Sequence, residues 1–151
     1  MAELRSGHVG LNVTDIDRSL DFYTYTLGLE VISDGTGAEE PGHRFAFLGR
    51  DGKVMLTLWQ QAVEGYAPGG AGLHHLAFEV DTIEKVRSAE KLLVNRGVPF
   101  DYEGVVAHSE GSSSGGIFFH DPDGTRLEIF ASSGAEDAPA PSGTEPTCGF
   151  F

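Results

Sequence analysis

The feature that most constrains this chain is an internal repeat. His8-Val9-Gly10-Leu11-Asn12-Val13 is matched without a gap by His75-Leu76-Ala77-Phe78-Glu79-Val80. Each copy is a histidine followed by residues that alternate with the period of a half-buried strand. Each strand then leads into a helical pattern. In the first copy Thr14 is placed to cap, Asp17 stands at capping-box distance, and Ile16, Leu20, Tyr23 and Leu27 recur at helical spacing up to Gly28. In the second, Asp81 or Thr82 caps, Glu84 follows, and Ile83, Val86, Ala89 and Leu93 form the stripe up to Gly97. Arg18-Ser19 and Arg87-Ser88 hold matching places.

Short β-rich segments follow each helix. The first set runs Leu29 to Ser33, Arg44 to Leu48 and Val54 to Gln60, with the Asp51-Gly52 turn before the last. The second runs Phe100 to Val106, Gly116 to His120 and Arg126 to Ala131, with Asp121-Pro122-Asp123-Gly124 in the corresponding place. Asp-Gly between β-rich runs signals a hairpin. The chain therefore reads as α+β, built from two βαβββ modules at residues 1–66 and 67–133. Each has roughly 60 residues and is too one-sided to close a core alone, so the two sheets are expected to pair. Gly-rich linkers at 33–42, 62–72 and 108–116 are expected to rim whatever site the sheets enclose. Residues 134–151 have no periodicity and read as an extended tail, either solvated or docked in a groove by its apolar end Phe150-Phe151.

Composition narrows the partners. With 23 Asp plus Glu against 10 Lys plus Arg, the net charge is −13, a field that repels phosphates and anionic lipid surfaces. Neither nucleic acid nor a membrane is expected as a partner; a small molecule is. The single cysteine, Cys148, excludes an intrachain disulfide and a thiolate metal cluster, and suits a reducing compartment. The first residues carry no basic-then-apolar leader, and no run approaches the ~18 apolar residues of a membrane span. A cytoplasmic protein is the expectation.

Four pieces in this order, HVGLNV at 8–13, RSLDFYTYTLGLEV at 18–31, HHLAFEV at 74–80 and FFHDPDGTRLEIF at 118–130, resemble the vicinal oxygen chelate superfamily of glyoxalases, bleomycin-resistance proteins and ring-cleaving dioxygenases. The similarity covers about residues 4 to 133. It implies that the two modules form a cupped, partly closed mixed sheet, with metal ligands on their first and last strands projecting into the cup: His8, His75 and Glu128. His75 rather than His74 aligns with His8, and strand alternation would send the two neighbours to opposite faces. The fourth ligand position of glyoxalases falls at Thr57, or at Leu56 if the turn is one residue shorter, and neither is a good ligand. Gln60 and Gln61 lie too far along to replace it. Two imidazoles and a carboxylate with open positions suit a catalytic rather than a structural ion, here one iron, manganese, zinc or nickel per chain.

The remaining positions weigh the family's chemistries. Ring-cleaving dioxygenases also use a Tyr about ten residues before the glutamate and an acid-base His late in the preceding module; this chain has Phe118 and Gln60-Gln61 there. His120, the favoured acid-base candidate beside Glu128, or His108 would have to serve instead. Fosfomycin-modifying members need a basic pocket for a phosphonate, and only Arg126 and Arg44 lie near the ligand segments. Metal-free relatives sequester planar drugs, a use to which Trp59, Phe45, Phe47, Phe118 and Tyr66 are suited. The reading preferred is a metal-dependent lyase, isomerase or related enzyme. Its substrate is small, apolar or aromatic, with neighbouring oxygens, and is oriented by Thr57, Trp59, Gln60, Phe45 and Phe118. Exposed sheet edges and the resemblance imply a homodimer.

Overall fold

The computed structural model describes residues 2–38 and 42–150; Phe151 and part of the 33–42 linker lie outside the described residues. The chain divides into two compact units, Met1–Gly65 and Tyr66–Phe151. Each contains one four-stranded mixed sheet and one helical segment. Among the described residues no helix is long and apolar enough to cross a membrane.

In the first unit, β1 (Val9–Val13), β2 (Glu30–Thr36), β3 (Arg44–Arg50) and β4 (Lys53–Gln60) lie in the order β1-β4-β3-β2. β1 and β4 are parallel, with Gly10 beside Thr57, and the other pairs are antiparallel. The hairpin between β3 and β4 turns on Asp51 and Gly52, whose φ values of 51° and 74° are the left-handed pair that a two-residue turn demands. Helix α1 covers only Ile16–Asp21, then widens into a π-helical turn over Phe22–Thr26. There the Leu27 amide reaches back to the Phe22 carbonyl, and the Thr24 hydroxyl donates to the Leu20 carbonyl at 2.7 Å, a side-chain bond that competes with the regular ladder. The expected cap also moves. Asp15 is extended and its carboxylate accepts from the Arg18 amide, whereas Thr14 accepts from the Arg18 guanidinium. Asp17 closes no capping box and instead pairs with Arg44 at 2.8 Å. Ile16 and Tyr23 bury against the sheet face made by Leu11, Val13, Ala46, Leu48, Leu56 and Leu58.

The second unit repeats the plan with β5 (Leu76–Glu79), α2 (Ile83–Asn95), β6 (Val106–Ala107), β7 (Gly115–His120) and β8 (Arg126–Ala131), ordered β5-β8-β7-β6. Thr82 caps α2 by accepting from the Lys85 amide, and Asp81 pairs with Lys85 at 2.5 Å. Ile83, Val86 and Leu93 are buried, as are Ile117, Phe119, Leu127, Ile129 and Ala131, which the pleat puts on one face of β7 and β8. The strand expected over Phe100 to Val106 shrinks to a bridge at Phe100 and the two residues of β6. Gly104 takes φ +73°, and Asp101 spends its carboxylate on His120 and Arg126, so the segment between them leaves the ladder.

The C-terminal segment is part of this unit rather than a solvated tail. Ala135 and Thr147 are buried. The Ala107 amide donates to Pro139, the Glu110 amide to Gly143 and the Thr147 amide to His108, so residues 139–147 strap the edge at β6 largely through main-chain bonds. The strap continues inward: Tyr102 donates to the Thr147 carbonyl, Arg126 to the Cys148 carbonyl, and a His74 ring nitrogen contacts the Gly149 carbonyl at 2.8 Å. Phe150 is fully exposed, and Phe151, the other half of the apolar end, lies outside the described residues.

Two stability predictions follow from these contacts. The buried Thr147 hydroxyl donates to the Ala107 carbonyl at 2.5 Å. Thr147→Val keeps the shape and strands that acceptor, which should cost about 1–3 kcal/mol, read as a melting temperature lower by roughly 2–4 °C per kcal/mol. Asp101 tests the charge cluster. Burial raises its carboxyl pKa, but hydrogen bonds from His120 and Arg126 outweigh burial and hold it below the ordinary carboxylate value. A lowered folded pKa gives stability that is present above the unfolded value and lost as pH falls through the folded one. The melting-temperature gap between wild type and Asp101→Asn should therefore narrow as pH drops from about 5 to about 2; a pH-independent gap would count against the cluster.

Candidate functional site

In the second unit the sheet face opposite α2 collects the polar side chains. The register places Ala77 beside Glu128 and Glu128 beside Phe118, so these residues share one face with Arg126 and Phe130. His75, one residue before β5, approaches the same carboxylate. Glu128 is only 4% exposed, yet both oxygens have a partner. Oε1 meets Nε2 of His108 at 2.5 Å, and Oε2 faces Nε2 of His75 at 3.4 Å. The register also settles the repeat arithmetic. His75 precedes Ala77 as His8 precedes Gly10, and Gly10 lies beside Thr57, so Thr57 rather than Leu56 stands where the second unit has Glu128.

The partners assign the tautomers of this group. Glu128 is an acceptor, so His108 donates from Nε2; its Nδ1 is then the acceptor for the Ser114 hydroxyl at 2.8 Å. Next to it, Nε2 of His74 contacts the Gly149 carbonyl and its Nδ1 lies 2.8 Å from Nδ1 of His75. A carbonyl can only accept, so with both rings neutral His74 donates from Nε2, accepts at Nδ1, and His75 donates from Nδ1. That leaves the Nε2 lone pair of His75 aimed at a carboxylate oxygen. Burial above all, with the charge of Arg126 adding to it, lowers the His75 pKa against the opposing pull of Glu128, which favours this neutral ring. The neighbours His74 and His75 are thus not on opposite faces. β5 begins only at Leu76, so strand alternation does not govern the pair.

Other residues expected at a site have other contacts. Phe118 is fully buried, with the Arg126 guanidinium 4.8 Å above its ring and Tyr102 edge-on, so it packs the site's floor and offers no free surface. His120 has one ring nitrogen on Asp101 at 2.7 Å and the other on the Gly124 carbonyl at 3.0 Å, which ties it into the charge cluster. The Tyr66 hydroxyl donates to the Leu73 and His74 carbonyls and holds the segment leading to His75.

In the first unit, His8 is exposed and immediately precedes β1. Thr57 is buried and accepts from the indole of Trp59 at 3.0 Å. Gln60 caps α1 through the Ile16 amide and donates to the Gly42 carbonyl, so its amide is already engaged. Phe45, Phe47 and Trp59 form a continuous aromatic surface with ring centroids 5.6–6.0 Å apart. A cavity of about 220 Å³ opens beside Phe45 and Trp59, with His43, Arg44 and Gln61 around it. Among the described residues no three His, Cys, Asp or Glu side chains converge to hold an ion; the second unit supplies the convergent pair His75 and Glu128.

Both sequence and fold have relatives. The chain is 30% identical over 132 residues to the lactoylglutathione lyase of Escherichia coli O157:H7, covering 83% of this chain and 91% of that one. It is 26% identical over 127 residues to the trivalent organoarsenical cleaving enzyme of Bacillus sp. strain MD1, covering 84% and 73% of the two chains. Against the biphenyl-2,3-diol 1,2-dioxygenase 2 of Rhodococcus globerulus it is 28% identical, covering 81% of this chain and 60% of that longer one. Among solved structures, a glyoxylase/bleomycin resistance protein/dioxygenase domain from Frankia sp. EAN1pec superposes with a TM-score of 0.75 over 90% of this chain and 98% of that one, at 23% identity. The glyoxalase I of Leishmania major gives 0.66 over 86% and 88%, at 26% identity. The family model matches residues 5–129, and the chain belongs to the Glyoxalase/Bleomycin resistance protein/Dioxygenase superfamily.

Proposed function

We propose that the chain is a divalent-metal-dependent lyase or isomerase acting on a small substrate with two neighbouring oxygens. The observation that carries this reading is the pairing of His75 Nε2 with Glu128 Oε2 at 3.4 Å, lone pair toward carboxylate. Two such atoms repel unless a cation lies between them. The spacing suits the group: two ligand atoms at about 2.0–2.1 Å from one tetrahedral ion stand roughly 3.4 Å apart. His8, the repeat counterpart of His75, is the third ligand in this reading, on the strength of the matched positions of Gly10 and Ala77. An ion held there would supply Lewis acidity to the paired substrate oxygens.

The chain's own residues supply the rest. Glu128, ligand and proton acceptor in this reading, is oriented by His108 on one oxygen and faces His75 with the other. The strap sets main-chain carbonyls against His74 and Arg126 beside that face. Within the first unit, Phe45, Phe47 and Trp59 form an apolar surface of their own. Thr57 in place of a fourth ligand separates the protein from the four-ligand glyoxalases and leaves one more position open. Ring cleavage of catechols is disfavoured because Phe118 lacks a hydroxyl and both nitrogens of His120 are occupied.

Elemental analysis of protein purified without chelator should find one divalent ion per chain, and Glu128→Ala should lower affinity by about 10²-fold or more. Absence of any metal effect on wild-type melting at neutral pH would overturn the enzyme reading in favour of ligand sequestration. Reconstitution with iron(II) and exposure to oxygen with a catechol panel should yield no yellow ring-opened product; rapid colour would establish the dioxygenase alternative.

A further inference from the structure

The second oxygen of Glu128 has a dedicated partner that the family resemblance does not account for. His108 stands just past β6, and the hydrogen bond from its amide to the Ser114 carbonyl closes the loop between β6 and β7. That loop holds the ring from behind: Ser112 bonds Ser114 side chain to side chain at 3.0 Å, and Ser114 bonds Nδ1 of His108 at 2.8 Å. The order of donors is consistent along the line. The Ser114 amide donates to the Ser112 oxygen, which frees the Ser112 hydroxyl proton for Ser114, the Ser114 proton for Nδ1, and the His108 Nε2 proton for Glu128. Phe130 packs against the imidazole with ring centroids 5.4 Å apart and restricts its rotation.

We infer that His108 is a positioning residue: donating from Nε2 to Oε1 of Glu128, it orients the carboxylate so that Oε2 alone is presented toward His75. The inference rests on the proposed metal function and deepens it. A ring locked as the Nε2–H tautomer has no lone pair on that nitrogen, so His108 is not itself a ligand. It fixes which oxygen of Glu128 ligates and removes the rotation that an unsupported carboxylate would lose on binding. Ser114 acts one step further back: its hydroxyl donates to Nδ1 and reinforces the tautomer that Glu128 calls for. His74 performs the corresponding task for His75, with the Gly149 carbonyl as its anchor.

Calorimetric titration of metal-free full-length protein with Mn(II) tests this. His108→Ala should weaken binding about 10- to 100-fold, the range typical of lost outer-sphere partners. His108→Gln, whose amide can still donate to Oε1, should recover most of the loss, and Ser114→Ala should lose only a few-fold. Unchanged Mn(II) affinity in His108→Ala, with wild type binding and Glu128→Ala not, would overturn the positioning role while leaving the metal reading intact. A second readout needs no metal. Long-range ¹H–¹⁵N spectra of the wild-type imidazoles should show His108 as the Nε2–H tautomer, its signals moving in Glu128→Gln. An Nδ1–H tautomer would overturn the inference. Absence of Mn(II) binding by wild type, with the expected tautomer present, would instead overturn the metal reading and keep the contact.

Discussion

The parallel pairing of the first and last strands in each unit is the constraint on which the rest depends. A parallel pair cannot be closed by a tight turn, so the helix and two intervening strands must be laid down first, and the last strand then inserts between the first and the third. This insertion brings residues distant in sequence, such as Ala77 and Glu128, side by side. It also sorts the pleat: alternate residues of the last strand meet the helix, and the others face away. The polar half of β8, Arg126 and Glu128, has no helix to cover it and must find its own partners.

How it finds them explains the second unit. A carboxylate that is 4% exposed is destabilising unless its oxygens are satisfied, and His108 stands 2.5 Å from one oxygen of Glu128. Arg126, 3% exposed, is neutralised by Asp101 and lies over Phe118. The two groups differ in completeness. The Arg126 cluster is balanced by its own residues, whereas the second oxygen of Glu128 has His75 no nearer than 3.4 Å.

Much of this was legible in the sequence because a period-2 histidine strand occurring twice fixes both the module and its partner strand. The Asp51-Gly52 hairpin and the α2 stripe followed from local rules of turn chemistry and periodicity, whereas Glu128 was singled out by the family resemblance. Where the reading slipped, a side chain outcompeted the backbone pattern. Thr24 widened the first helix, Asp15 displaced Thr14 as cap, and Asp101 drew its segment out of the ladder toward Arg126. His74 was assigned to the wrong face because alternation was applied one residue before the strand begins. His108 was visible only as a possible proton carrier, since its contact with Glu128 depends on how a serine-rich loop closes. The strap was least legible, because it attaches chiefly through main-chain groups and leaves little signature in residue type.

That mode of attachment has a consequence for how this region can change. Between Pro139 and Thr147 the contacts with β6 and its loop are made by carbonyls and amides, which almost any residue provides. Apart from Thr147, whose buried hydroxyl bonds the Ala107 carbonyl, and Gly143 with its φ of 61°, composition there is free to drift, but length is not. Inserting or deleting a single residue would shift the register of every later carbonyl and would move Gly149 off the His74 ring. The segment thus behaves as a ruler, holding its far end against the pair His74 and His75 by the number of residues it contains and very little by their identity.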